Sequence, residues 1–385
     1  MKSLLLSLVL SIAGLNLVHV FGQKTPEANT AIIDSLQNEL KKNRHDSLKC
    51  KTLIEIGDVF YKLNPDTAIY FYSQCAQLAE AKGLKKTEAQ ATVNKGNTLR
   101  RLGNFTKAIE CYLNALLIWE TLENKKEIAS CYSTIGKTHA IQGNYEQALT
   151  NYRKSLALSQ DLKDSSAMAI SYCNIGAVNS YQGNYEEAIE NMSVSIGLAK
   201  KTGNNLQMSV CYNYFGNIYY FQGNFEKSIE NYLNSLKISE KIGNKKEMSN
   251  CLANIGNIQA MQQNWDKAIE YFQKALALNQ EIDDKNGISA CFNNLGNIYD
   301  SKGNPEMAIE YYMKSLKIAE EFGNKKQMAN CYLNIGMVRA NQGQYDKAIE
   351  LYSKTLRIVK ELGDKNGMAM IYSNISRLQD RKSVV

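Results

Sequence analysis

A motif returns every 40 residues through most of this chain. "NIGAVNSYQGNYEEAIE" at 174–190 is followed 40 residues later by "YFGNIYYFQGNFEKSIE", and 40 later again by "NIGNIQAMQQNWDKAIE". A fixed interval of this size means that one small unit is stacked along an axis, because the unit is too short to bury its apolar face alone. The repeat also settles the question of size. A chain of 385 residues exceeds what one compact core encloses and would otherwise imply two or three domains. Only Pro26, Pro65 and Pro305 could interrupt helix.

A glycine marks each copy: Gly57, Gly96, Gly136, Gly176, Gly216, Gly256, Gly296 and Gly336, with Ser376 in the last. The first interval is 39 and the others are 40. Twelve residues after most of them stands Ala108, Ala148, Ala188, Ser228, Ala268, Ala308 or Ala348. Four further on comes Tyr112, Tyr152, Met192, Tyr232, Phe272, Tyr312 or Tyr352. Small residues let two helices approach, and the large side chain fills the space beside them. "QGN" at 142–144 punctuates the pair: Gly143 supplies the left-handed stop and Asn144 is expected to cap the second helix. Glu146 then suits the helix dipole. Pro305 falls at a first helical position, where proline fits. Gln263 replaces the glycine in "QQNW" and predicts a costlier turn.

These columns resemble the tetratricopeptide repeat family over residues about 48 to 379. The family's order of large, apolar, small, then Ala, aromatic and small is present eight times, with a ninth copy begun. Its usual period is about 34, so a period of 40 is similar to the longer-repeat branch found in kinesin light chain and in scaffolds that regulate G-proteins. The resemblance implies an all-α, right-handed superhelical solenoid of antiparallel helix pairs, with first helices lining a concave wall. Residues 23–47 are read as a lead-in helix.

At about 100° per residue, Leu252, Ile255, Gly256 and Gln259 share the face toward the partner helix. Cys251 and Ile258 turn toward the neighbouring repeat, and Asn250, Asn254, Asn257 and Met261 point away from the core. That outer face carries a ladder. Asn94, Asn174, Asn254, Asn294, Asn334 and Asn374 share one column, broken by Thr134 and Tyr214, and Asn97, Asn217, Asn257 and Asn297 share the next. Amide side chains carry the donors and acceptors that match an extended peptide backbone. The resemblance implies that asparagines here clamp peptide main chain in the groove, and Tyr181, Tyr214, Tyr220 and Phe221 would supply an apolar pocket. The competing reading makes the amides rungs between adjacent helices. A carboxylate clamp rests on Arg100 and Arg101 alone.

Other chemistry finds little support. Formal net charge is +7, with both signs interleaved, which gives no nucleic-acid stripe. Of three histidines, His19 lies in the N-terminal leader, and His139 takes a column filled elsewhere by Tyr219 or Tyr299, so packing is its expected role. No metal spacing, phosphate loop or nucleophile elbow occurs, so neither metal nor cofactor is expected and the chain is read as non-enzymatic. Nine cysteines suggest disulfides at first, but Cys211, Cys251, Cys291 and Cys331 fall in one inter-repeat column. Stacked helices about 8–10 Å apart lie beyond disulfide reach, so small buried thiols are expected there. Cys111 and Cys131, from successive helices, are the pair most open to bonding.

Residues 1–22 read as a secretory signal peptide, with an apolar run from Leu4 to Phe21 and cleavage before Gln23. An uncleaved membrane anchor is the competitor. Residues 380–385 are expected to be a truncation artefact, being encodable by a sequencing-adapter string. The function expected is an exported scaffold binding a protein or peptide segment, as the sensory region of a bacterial signalling protein with a membrane-attached output domain. A freestanding scaffold, or the front of a histidine kinase or nucleotide cyclase, are the alternatives.

Overall fold

Each period folds as two helices of nearly equal length. The computed structural model describes residues 26–43 and 45–384, in which there are eighteen α-helices and no strand. The leader at residues 1–22 and the terminal Val385 lie outside the described residues. Most helices run 17 residues and are followed by a three-residue turn, so helix and turn together occupy half a period. The solenoid pattern expected from the repeat is therefore present, as successive antiparallel hairpins.

The chain divides into two compact units at Asn191 and Met192. The first contains α1 (Pro26–Lys42), α2 (Asp46–Leu63), α3 (Pro65–Ala81), α4 (Lys85–Arg101), α5 (Phe105–Thr121), α6 (Lys125–Ile141), α7 (Tyr145–Asp161) and α8 (Ser165–Tyr181). It also holds the first turns of α9 (Tyr185–Thr202). The second contains the rest of α9, then α10 (Asn205–Phe221), α11 (Phe225–Lys241), α12 (Lys245–Met261), α13 (Trp265–Glu281), α14 (Lys285–Ser301), α15 (Pro305–Phe322), α16 (Lys325–Asn341), α17 (Tyr345–Glu361) and α18 (Lys365–Val384). Helix α18 continues through Asp380–Val384, and Lys382 pairs with Asp346. Lys302 and Asp266 pair at the same sequence separation, at 2.9 Å. Among the described residues no helix is long and apolar enough to cross a membrane.

Steric fit explains the recurring glycine. A Cβ built at Gly216 would stand 2.4 Å from the Tyr232 ring, and one at Gly296 would stand 2.5 Å from Tyr312. Neither distance is tolerable, so the aromatic of the second helix occupies the space that a side chain on the first would need. Ala108, Ala148, Ala268, Ala308 and Ala348 are fully buried at the same crossing. Where Ser228 stands instead, its hydroxyl donates to the Gly216 carbonyl at 2.7 Å, which satisfies the added polar atom.

The turns follow the expected chemistry with two corrections. Gly143 has φ 79°, and the Asn144 N–H donates to the His139 carbonyl at 2.9 Å, a six-to-one closure. Gln263 occupies the same left-handed position at φ 61°. Asn104, Asn124, Asn204, Asn224, Asn244, Asn304 and Asn324 cap the following helix through their side chains. Asn144 and Asn264 do not. Asn264 Nδ2 bonds to Gln259 Oε1 instead, at 3.1 Å. The 39-residue first interval has its cause in the first hairpin, where Asn64 alone separates α2 from α3.

Neighbouring hairpins join along seams of small polar residues. Cys211, Cys251 and Cys331 donate to Ser195, Ser235 and Ser315 at 3.1, 3.1 and 3.2 Å. All nine cysteines are free and buried. Burial pushes the Cys131 and Cys251 thiols up to about 12, so they are not nucleophiles near neutral pH. Cys111 and Cys131 are not brought together, because Cys111 packs with Leu99 and Tyr112, and Cys131 with Leu116 and Trp119. Ile255 also departs from expectation. With Cys251 and Ile258 it packs on Tyr232 of the preceding hairpin, while Leu252 packs on Ala275 of its own.

Candidate functional site

The wall that could hold a ligand is built by first helices. In the second unit α10, α12, α14 and α16 each touch the next in that series, in addition to their sequence neighbours. No contact of comparable extent joins α11, α13, α15 and α17. The first helices therefore lie on the inside of the local curve. In the first unit α2 touches α4, and α6 touches α8, in the same manner.

A cleft of about 290 Å³ opens on this wall in the second unit. Tyr220 of α10, Asn257 and Met261 of α12, Trp265 of α13, and Asn294 and Asn297 of α14 are among its lining residues. The Tyr220 hydroxyl lies 3.0 Å from Met261 Sδ, and its ring packs on Phe221 and Phe225 at centroid distances of 5.5 and 6.0 Å. One side of the cleft is thus aromatic and thioether, and the other is amide.

Core residues beneath the wall set how free each amide is. Asn97, Asn217 and Asn297 accept from the hydroxyls of Tyr112, Tyr232 and Tyr312 at 3.0, 2.6 and 2.8 Å. In the hairpin of α12 and α13 the matching residue is Phe272, which has no hydroxyl. The Asn257 side chain consequently has no hydrogen-bond partner among the described residues, and the Asn294 side chain has none either. Two members of the other column are engaged between repeats. Asn254 donates to Asn213 at 3.3 Å, and Asn334 donates to Asn293 and Asn297 at 3.1 and 3.3 Å. Asn94 accepts from Gln90 at 2.9 Å, and Asn174 is half-buried. The reading of the amides as rungs between adjacent helices holds for Asn254 and Asn334, while the side chains of Asn257 and Asn294 are not engaged in that way.

The aromatic residues distribute differently from expectation. Tyr181 belongs to the first unit, is 54% exposed and stacks on Tyr145 at 6.2 Å. Tyr214 is half-buried and Phe221 exposed, yet neither lines the cleft, whereas Tyr220 does. Trp265 and Ser301 were not expected at the site. Trp265 opens a second helix, and helical counting along the first helices alone does not reach it.

The first unit has its own cleft of about 360 Å³, lined by Asp58, Tyr61, Tyr72, Asn94, Asn97 and Arg100. Tyr72 donates to Asp58 at 2.6 Å, and Arg100 Nε donates to the Tyr112 hydroxyl at 3.3 Å. Arg101 lies over the Tyr61 ring at 5.1 Å and bonds to the Tyr61 carbonyl. The two arginines are thus held by aromatic residues and do not point together at one anion.

Comparison with known proteins agrees with this architecture. The tetratricopeptide repeat profile matches residues 87–161, 127–201, 167–241, 207–281, 247–321 and 327–383. No curated protein sequence matches the chain. Among solved structures, the apo form of the quorum sensor NprR from B. thuringiensis is similar at TM-score 0.58 and 13% identity, covering 86% of this chain and 93% of that one. A Rap protein complexed with competence and sporulation factor gives 0.53 and 13%, covering 91% and 98%. A signal transduction ATPase with a tetratricopeptide repeat sensor, from Pyrococcus horikoshii, gives 0.55 and 18%; the match covers 91% of this chain but 56% of that one. At these identities the likeness is one of fold. The family profile, which spans most of the sequence column by column, carries more: this chain belongs to the tetratricopeptide repeat family.

Proposed function

We propose that the chain is a non-catalytic scaffold that binds an extended peptide segment along the wall of first helices. The observation that carries this reading is the pair of unengaged amides, Asn257 and Asn294, beside the apolar surface of Tyr220, Met261 and Trp265. Free amides can pair with peptide N–H and C=O groups, and an adjoining apolar cleft takes one side chain. In the same unit Asn217, Asn254, Asn297 and Asn334 contribute through their unused lone pairs and hold the wall in place. The fold likeness to a Rap protein complexed with a named factor supports a peptide ligand. The leader-like residues 1–22 support work outside the cytoplasm, and the likeness to proteins described as sensors supports an input role in signalling.

The test is selection of peptides from a random library on the immobilised full chain, followed by titration of a selected peptide. Asn257→Ala with Asn294→Ala removes two hydrogen-bonding groups worth about 1 kcal/mol each. The expected affinity loss is therefore about 30-fold, with the urea midpoint unchanged. Unchanged affinity, or parallel loss of stability and binding, refutes the assignment.

A further inference from the structure

Cys50 and Cys75 face one another in the first hairpin, a contact that peptide binding does not use. Both side chains are fully buried, Cys50 in α2 and Cys75 in α3. Cys75 Sγ lies 3.4 Å from the Cys50 carbonyl oxygen, and Cys50 Sγ lies 3.9 Å from the Cys75 carbonyl oxygen.

The repeat itself calibrates how close these positions are. Cys50 stands seven residues before Gly57 and Cys75 three after Tyr72, as Ser289 and Ser315 stand to Gly296 and Tyr312. Those serine hydroxyls meet at 2.8 Å, and each also donates to the other residue's carbonyl, at 3.0 and 2.8 Å. Ser235 reaches the Ser209 carbonyl at 2.7 Å, and Ser249 the Ala275 carbonyl at 3.1 Å. The two columns thus mark a close approach of the helices in a hairpin. Every other copy fills them with Ala, Ser or Thr, and only the first hairpin carries cysteine in both. The γ atoms of the equivalent Ser289 and Ser315 touch, so rotation about Cα–Cβ, which moves each Sγ and leaves each Cβ in place, turns the two sulfurs from the facing carbonyls toward one another.

We propose that Cys50 and Cys75 form a disulfide that staples α2 to α3 when the chain folds in the presence of a disulfide oxidant. The step is thiol–disulfide exchange with a low-molecular-weight or protein disulfide, RSSR. One cysteine thiolate attacks RSSR and releases RS⁻, forming a mixed disulfide. The second cysteine thiolate displaces the remaining RS⁻, which leaves the Cys50–Cys75 bond. Two electrons pass from the cysteines to RSSR, and their two protons finish on two RSH. Burial under Ile33, Leu36 and Leu40 of α1 and the raised pKa of both thiols make exchange slow in the closed hairpin. It runs as the hairpin forms or opens. Cys211, Cys251 and Cys331 meet serine hydroxyls, so the same oxidant leaves them as thiols.

The full chain, reduced and denatured, is refolded in reduced and oxidised glutathione, then unfolded, alkylated and mapped without reduction. Before alkylation the expected product is about 2 Da lighter than the reduced chain, and after it Cys50 is linked to Cys75 with the other cysteines alkylated. The double variant Cys50→Ser, Cys75→Ser reproduces the Ser289–Ser315 arrangement, and is expected to regain the same helical circular dichroism without any cross-link. Refolded helical protein in which Cys50 and Cys75 are both alkylated, or cross-links dispersed among other cysteines, overturns the proposal.

Discussion

Phe272→Tyr should stabilise the second unit and weaken peptide binding in one step. Three other hairpins bond the corresponding tyrosine hydroxyl to a wall asparagine at 2.6 to 3.0 Å. Phe272 is 1% exposed in the same column and lacks only that oxygen. The added hydroxyl meets Asn257 Oδ1, which has no other partner, so it is buried already satisfied. One such bond contributes a net 0.5–1.5 kcal/mol, with about 1 as the central expectation. If Asn257 gives a bound peptide one bond of similar strength, occupying its oxygen costs about fivefold in affinity. Stability is read from urea unfolding. Binding is read from the fluorescence of Trp265, which borders the cleft, in a Trp119→Phe background that removes the other tryptophan. A variant that gains stability while binding peptide as before shows that Asn257 is no ligand group. A variant unchanged in both shows that the tyrosine does not reach the amide, and the account of the wall fails.

Other substitutions probe the scaffold. Gly216→Ala sets a methyl 2.4 Å from Tyr232, whereas Gly256→Ala sets one 3.1 Å from Phe272. The first should lose about 1–3 kcal/mol to overpacking, less roughly 1 regained in helix propensity, and the second should stay within about 0.5 of wild type, both by urea titration. Gln263→Gly relieves a left-handed residue and should add about 1 kcal/mol, seen as a raised urea midpoint. Glu247 is held above the ordinary carboxylate range chiefly by burial, with hydrogen bonds from Asn250 and Asn213 opposing. A carboxyl whose folded pKa is raised binds its proton more tightly in the native state, so stability falls as pH rises from the unfolded value through the folded one. Glu247→Gln should therefore stabilise at pH 7, with the gain vanishing once pH drops below both values. Unfolding midpoints measured across that range check the sign.

The period, the hairpins and the left-handed turns were legible because each rests on contacts within one copy. A glycine facing an aromatic sixteen residues on, or Gly143 closing a helix, is a local steric fact that repetition displays many times. The state of an individual amide was less legible. Asn257 and Asn297 occupy one column, but Phe272 leaves the first free and Tyr312 engages the second. Asn254 is tied by Asn213, forty-one residues earlier, which lies outside the asparagine columns counted from the sequence. Asn144 and Asn104 each follow a turn glycine and precede an aromatic residue, yet only Asn104 caps through its side chain. The proximity of Cys50 to Cys75 also left a signal, since both belong to the small columns of one hairpin.

Among the described residues, helices in either unit make their main contacts with the elements next to them or one step beyond. A change at one wall position therefore stays confined to two seams. What such a wall presents can change one rung at a time, without renegotiating the rest of the architecture. Gaining or losing a whole period would likewise lengthen or shorten the wall while leaving every distant contact as it was.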